Sequence, residues 1–285
     1  MPVISGDPLT GREHELEVIH RALNKVGSYS GVVIVGAAGV GKTRLAREAL
    51  IRAEASGART NWIVGTESAR PLPLGAFNAS LGNLMSDPVL DVRRIVDSIV
   101  AQQRRGRVLI GVDDAHLLDG LSAHVVHQLA QSRGAHLVVT LRATGGEPDA
   151  VTALWKDGHL ARLDLQALSA AATRRVIEAT LGGPVDALSA QRFLKLTGGN
   201  ALFLRQLLTD QVAAGSMRQV AGVWMWDDTV AVSPSIGDLV GSQLSRLTPD
   251  VAMVIDILSQ CEPLAVDVLC DLCAAATSKM PNKCT

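Results

Sequence analysis

Aromatic side chains are scarce in this 285-residue chain, with four tryptophans, three phenylalanines and one tyrosine. That disfavours an aromatic-rich all-β core. Ala, Val, Leu and Gly fill the apolar quota instead, which favours helices and parallel strands. Net charge is nearly absent too, at −1, so bulk electrostatics give no push toward nucleic acid. No uninterrupted apolar run is long enough to span a bilayer. Residues 1–7 carry neither the basic nor the apolar stretch of a secretory signal. Together these absences predict a soluble, cytoplasmic protein, and the length suits about two domains.

Cysteine is confined to the end of the chain, at Cys261, Cys270, Cys273 and Cys284. Cys270-Asp271-Leu272-Cys273 has a spacing found in zinc sites. The same residues share an apolar helical pattern with Leu269 and Leu272, and a free cysteine is a common small core residue. The core role is the simpler reading.

What is present is a phosphate-binding loop. Gly36-Ala37-Ala38-Gly39-Val40-Gly41-Lys42-Thr43 has glycines that let backbone N–H groups close around an anion. Lys42 is placed to reach the outer phosphates, and the Thr43 hydroxyl to take a position on Mg²⁺. The apolar, β-branched run 31–35 before it reads as a buried strand. Residues 44–50 have helical spacing, so the loop opens a helix N-terminus, where anions are favoured.

The rest of the chain follows a regular alternation. Residues 9–25 read as a helix capped by Thr10 or Gly11. Further strands are predicted over 61–65, 107–112, 136–141 and 160–165, the last alternating apolar and polar as at a sheet edge. Helices are predicted over 75–85, 90–104 and 121–132. This is an α/β pattern with a mostly parallel, five-stranded sheet covered on both faces. Beyond Leu165 the pattern becomes helical: 169–181 with Ser169 as N-cap, 186–196 and 199–214. A short hairpin strand follows at 222–227, then helices over 235–247, 249–261 and from Pro263 to about Ala276. The domains are a core over 1–165, a helical lid over 166–215, a hairpin connection over 216–234, and a partial winged-helix-like region over 235–285.

A phosphate loop needs an acidic partner at the end of a neighbouring buried strand. Asp113 follows the run 108–112 and suits Mg²⁺, bound through water. Asp114 is placed to orient or deprotonate an attacking water; alone the pair would suit a strand end and helix cap, but the full phosphate loop upstream favours the functional reading. Arg142 directly follows the fourth strand, where ligands of parallel sheets sit, and a cation there can read a γ-phosphate. His116 and Asp119 share the loop after Asp114 and suit a surface imidazole and a helix cap as well as any chemical role.

Five segments then stand in order: Thr10-Gly11-Arg12-Glu13-x-Glu15-Leu16, the phosphate loop, Val112-Asp113-Asp114-Ala115-His116-x-x-Asp119, Leu141-Arg142, and Gly198-Gly199-Asn200-Ala201-Leu202-Phe203-Leu204. The series resembles the ATPase module of signal-transduction NTPases with AAA-like cores. Within them it resembles the LuxR-type large ATP-binding transcriptional regulators of bacteria, over nearly the whole chain. The resemblance implies ATP or ADP with Mg²⁺ as ligands, slow hydrolysis, and nucleotide-dependent self-association. It places Gly11 and Arg12 near adenine and ribose. It makes Gly36, Ala37, Ala38, Gly39, Val40, Gly41, Lys42, Thr43 and Arg44 the phosphate cradle, and Thr43 and Asp113 the Mg²⁺ ligands. Asp113 and Asp114 match the acidic pair of the second motif, with Asp114 catalytic, and Arg142 matches the sensor arginine. It also implies a lid at 166–215 and the start of a winged helix at 235–275. Relatives often have proline where this chain has Ala167 and Ala201. Full-length relatives continue to a helical-repeat sensor and a helix-turn-helix, so DNA contact is expected only through a C-terminal domain outside this chain, which reads as a shortened member.

Two other functions compete. A small-molecule kinase would need an acceptor pocket, for which residues 66–86 and their surroundings offer only Glu67, Arg70 and Asp87. A catalytically silent interaction module would leave the motif residues without purpose.

Overall fold

Val32, Val33, Ile34 and Val35 are all buried, so the strand they form, β1 (Gly31–Gly36), needs cover on both faces. The computed structural model supplies it. It describes residues 9–24, 29–77, 88–104, 106–142, 148–227, 247–260 and 264–278, with single positions 237, 241 and 244. Four strands join β1: β2 (Arg59–Val64), β3 (Val108–Asp113), β4 (His136–Arg142) and β5 (Ala161–Asp164). Their order is β2-β3-β4-β1-β5, and every pairing is parallel. The alternating strand is therefore an edge, as its pattern predicts. One expectation is corrected. The acidic strand β3 does not neighbour β1, because β4 lies between them.

Period-2 alternation sends successive residues of each strand to opposite faces. Val32, Ile34, Leu109 and Val138 pack with α1 (Glu13–Asn24) and α2 (Lys42–Ala55), through Leu16, Ile19, Leu45 and Ala49. Val33, Val35, Ile110, Val112 and Val139 face the other way. They pack with α3 (Pro88–Gln103), α4 (Gly120–Gln131) and α5 (Asp149–Lys156). Each such aliphatic side chain contributes roughly 1.5–3 kcal/mol on burial. The helix α5 has no counterpart in the sequence reading. It has only two turns, and its apolar signal is little more than Val151 and Leu154, both buried.

Several boundaries differ in instructive ways. α1 is capped by neither Thr10 nor Gly11. Gly11 turns in the left-handed region (φ 82°), and the Arg12 carbonyl accepts the Leu16 N–H at 3.0 Å, which makes Arg12 the cap position. The Glu13 carboxylate accepts the Gly11 N–H at 2.9 Å, and that bond holds its pKa below the ordinary value. The helix predicted over 75–85 is a turn at 75–77, and 78–85 lie outside the described residues.

Three helices follow the sheet: α6 (Ala170–Leu181), α7 (Ala187–Thr197) and α8 (Ala201–Ala213). Their N-caps are Ser169, Asp186 and Asn200, each accepting first-turn N–H groups through its side-chain oxygen. The hairpin β6 (Met217–Val220) and β7 (Val223–Trp226) packs on α7. Trp226 stacks on Phe193 with ring centroids 4.3 Å apart, and its N–H donates to Ser189 Oγ at 2.9 Å.

The chain divides into two compact units, Met1–Thr229 and Val230–Thr285. In the second, α9 (Pro249–Gln260) and α10 (Val266–Ser278) are described. The helix predicted over 235–247 lies outside the described residues except at 237, 241, 244 and 247. Cys270 is exposed and Cys273 half-buried, so Cys270 is not the core residue its apolar helical pattern suggests. Cys261 and Cys284 lie outside the described residues. Among the described residues no helix is long and apolar enough to cross a membrane.

Candidate nucleotide-binding site

β1 delivers the chain to Gly36, and α2 begins at Lys42. The turn between them needs left-handed backbone at Gly39 (φ 77°) and Gly41 (φ 102°), which other residues resist. Gly41 caps α2 with no side chain, leaving first-turn N–H groups turned toward any anion at this end. Lys42 is buried and folds back over the loop. Its Nζ donates to the Gly36 carbonyl at 2.9 Å and the Ala37 carbonyl at 2.8 Å. Burial pushes the ammonium below its ordinary pKa, Asp114 opposes that shift, Arg142 adds to it, and Asp113 opposes it.

The acidic pair is held by a residue that sequence reasoning passed over. Thr140 is fully buried in the middle of β4. Its Oγ1 donates to Asp113 Oδ1 at 2.6 Å and accepts the Asp114 N–H at 2.9 Å. Thr43 Oγ1 donates to the same Asp113 oxygen at 2.9 Å. The insertion of β4 between β1 and β3 thus has a purpose, since β4 pairs with the phosphate strand and carries the hydroxyl that holds Asp113 and Asp114. The available signal was a lone hydroxyl in the apolar run 137–141. Replacing Thr140 by valine keeps the shape but leaves the Asp114 N–H without its acceptor. Urea unfolding should show a loss of about 1–3 kcal/mol.

Asp114 sits in the left-handed region at φ 48°, which aspartate tolerates better than most residues. Its Oδ1 lies 3.7 Å from Arg142 Nε and 3.9 Å from His116 Nδ1. Arg142 is in register with Gly36 across the β1–β4 pair, so the sheet itself sets it beside the loop. Asp119 is a cap. Its carboxylate accepts from the Leu121 and Ser122 N–H groups, and it also takes those of Leu74 and Gly75.

Arg12 is buried and points its donors at backbone. Nη1 meets Glu15 at 2.7 Å, while Nη2 donates to the Val40 carbonyl at 3.1 Å and the Gln166 carbonyl at 2.6 Å. It therefore ties the phosphate loop to the segment that follows β5. Asn200 makes a second tie. Its Nδ2 donates to the Ala38 carbonyl at 3.0 Å while its Oδ1 caps α8, and the Leu202 N–H reaches the Gly39 carbonyl at 3.0 Å. A Cβ on Gly39 would lie 2.5 Å from Asn200 Oδ1, so the approach needs glycine there.

The phosphate loop and the helices α6 and α8 border a cleft of about 450 Å³. Residues 38–44, Arg12, Asp114 and Arg142 line it, whereas Gly11, Gly36, Ala37 and Asp113 do not. The helical side offers an apolar wall of Leu168, Val176 and Ala179, and a further cation, Arg205 of α8. Arg205 was not among the residues picked from sequence, because an arginine on an exposed helix face carries no signal of its own. Glu67 and Arg70, considered for a kinase acceptor site, are exposed and do not line the cleft; Asp87 lies outside the described residues. Arg107 lies away from the cleft and donates to Asn24 Oδ1 and the Leu23 carbonyl at the end of α1.

The loop, the strand order and the cleft are those of a P-loop NTPase. Residues 8–141, just under half of the chain, match the family model described as AAA ATPase domain. A search of curated proteins gives no match. Among solved structures, the chain is similar to the ORC1 protein of Aeropyrum pernix in complex with DNA, with 17% identity and a TM-score of 0.57 over 100% of this chain and 82% of that one. It is similar to AMPPCP-bound DnaA from Aquifex aeolicus, with 18% identity and a TM-score of 0.53 over 74% of this chain and 64% of that one. It is also similar to a Signal Transduction ATPase with Numerous Domains from Pyrococcus horikoshii that carries a tetratricopeptide repeat sensor. There the identity is 19% and the TM-score 0.50, over 93% of this chain but 36% of that one. At these identities the likeness is one of fold. Site and fold define a module of the P-loop NTPase class, and residues 8–141 of it are similar to the AAA ATPase domain.

Proposed function

We propose that this chain is the ATP-binding, slowly hydrolysing switch module of a LuxR-type transcriptional regulator. The observation that carries this reading is the seating of the α8 N-terminus on the phosphate loop, through Asn200 and Leu202. A lid that touches Ala38 and Gly39 must respond when the loop closes on phosphate. Two arrangements of core and lid, biased by the γ-phosphate, are the ordinary form of a nucleotide switch.

The residues present suit both ligands. The first-turn N–H groups of α2 and the Lys42 ammonium would hold phosphate oxygens, with Lys42 leaving the Gly36 and Ala37 carbonyls to do so. Thr43 Oγ1 and Asp113 Oδ1, 2.9 Å apart, are hard oxygen donors of the kind Mg²⁺ takes alongside water. Bound there, Mg²⁺ supplies charge neutralisation of the phosphates. Asp114 would position water, and Arg142 would read the γ-phosphate. The ion pair between Asp114 and Arg142 restrains the base, which favours slow turnover. The apolar wall from Leu168 to Ala179 suits a purine. In this reading residues 166–215 are the lid, and residues 235–275 are the start of a winged-helix unit.

Light scattering with ATP, with ADP and without nucleotide tests the switch. Mass or hydrodynamic radius should differ between the ATP and ADP states. Identical values in all three, with nucleotide bound, would contradict it.

A further inference from the structure

At the N-terminal end of the strands, roughly 20 Å along β1 from the cleft, three chain segments meet. His127 lies on α4. Asp157 is the C-cap of α5, its N–H donating to the Ala153 carbonyl at 3.0 Å. Gly158 follows in the left-handed region (φ 74°), the usual way a helix ends, and turns the chain so that His159 comes back beside Asp157. The His159 carbonyl then accepts the Ser30 N–H at 2.8 Å, fixing this turn to the start of β1. Ligand-capable atoms of His127, Asp157 and His159 all lie within 4.8 Å of one another. The two imidazoles meet edge to face, with centroids 5.4 Å apart and planes at 81°.

We infer that His127, Asp157 and His159 form a binding site for a late first-row divalent metal, with zinc the best-matched ion. Two imidazoles and a carboxylate are a donor set zinc takes at about 2.0–2.2 Å, with water completing four-coordination. Magnesium and calcium prefer oxygen alone, so the metal of the nucleotide site does not compete here. The backbone of the turn is already fixed at both ends, by the α5 cap and the Ser30 bond. Small side-chain rotations suffice to bring the donors together. Both histidines are half-buried and Asp157 is exposed, so the site is reachable from solvent. A metal there clamps α4 to the connection between α5 and β5, and its role is to stabilise the core without touching the cleft. The inference is independent of the switch reading.

The test uses the untagged full chain, stripped with EDTA and titrated with zinc sulfate, alongside Asp157→Asn and His159→Gln. The parent should bind one zinc that both variants lose or bind at least about 10-fold more weakly. Zinc should raise the melting temperature of the parent and not of the variants. Circular dichroism shows whether each variant is folded, and Asp157→Asn, at an exposed position, keeps the test valid if His159→Gln is not. Cobalt as a probe separates this site from the C-terminal cysteines, because thiolates give intense near-ultraviolet charge-transfer bands and nitrogen and oxygen ligands do not. Equal zinc binding by parent and variants, a purely thiolate cobalt spectrum, or no binding at all would overturn the inference.

Discussion

Replacing Lys42 with alanine is expected to weaken ATP binding by roughly 100-fold or more, whatever the Mg²⁺ concentration. The reason lies in where Lys42 sits. It is a buried cation whose partners are two backbone carbonyls of its own loop, with carboxylates further off. Such a charge is costly to maintain unless a stronger acceptor is available. Phosphate oxygens are that acceptor, and hydrogen bonds to charged groups are worth about 1.5–3 kcal/mol each. Two of them lost together correspond to the expected fall in affinity. The substitution leaves the Gly36 and Ala37 carbonyls at the edge of an open cleft, where water can replace the ammonium, so the fold should survive. Calorimetric titration gives the affinity, and a melting curve shows that the variant is folded. Unchanged affinity in a folded variant would remove the phosphate role of the loop.

Asp114→Asn should act on the opposite side of the reaction. Asparagine fits the same space but cannot take a proton from water. Turnover should fall by about 10²–10⁴-fold, the range that a general base contributes, while ATP affinity stays within a few-fold of the parent. The lost pairing with Arg142 is partly exposed and long, at 3.7 Å, so little stability goes with it. Phosphate release under single-turnover conditions reads the chemical step directly. A variant that hydrolyses at the parent rate would move the base elsewhere, with His116, 3.9 Å from Asp114, the nearest alternative.

These two residues were legible in the sequence because their meaning is local. A glycine-rich turn between a β-branched run and a helix specifies its own geometry, and an aspartate pair ending an apolar strand marks the ligand end of a parallel sheet. The edge position of β5 was legible for the same reason, through its alternation. Thr140 was not, because its role depends on β4 lying between β1 and β3, and strand order is a long-range property that no window of sequence contains. Arg12 shows an intermediate case. Its position in the Gly-Arg-Glu start drew attention to it, yet the hydrogen bonds that define it run to Val40 and Gln166, residues 28 and 154 positions away. Asn200 was visible as part of a motif, but its seat on Ala38 appears only once α8 is folded against the phosphate loop. The helix α5 was missed because two turns leave too little periodicity to separate from a loop.

The central claim is that residues 38–44, with Asp113, Asp114 and Arg142, make one Mg²⁺–ATP site. The most direct test is calorimetric titration of ATP into the full chain with and without Mg²⁺, repeated with Asp113→Asn. The account predicts one ATP per chain, tighter binding with Mg²⁺, and loss of that Mg²⁺ dependence in the variant. Absence of ATP binding by the folded parent chain, or an undiminished Mg²⁺ effect in Asp113→Asn, would contradict it.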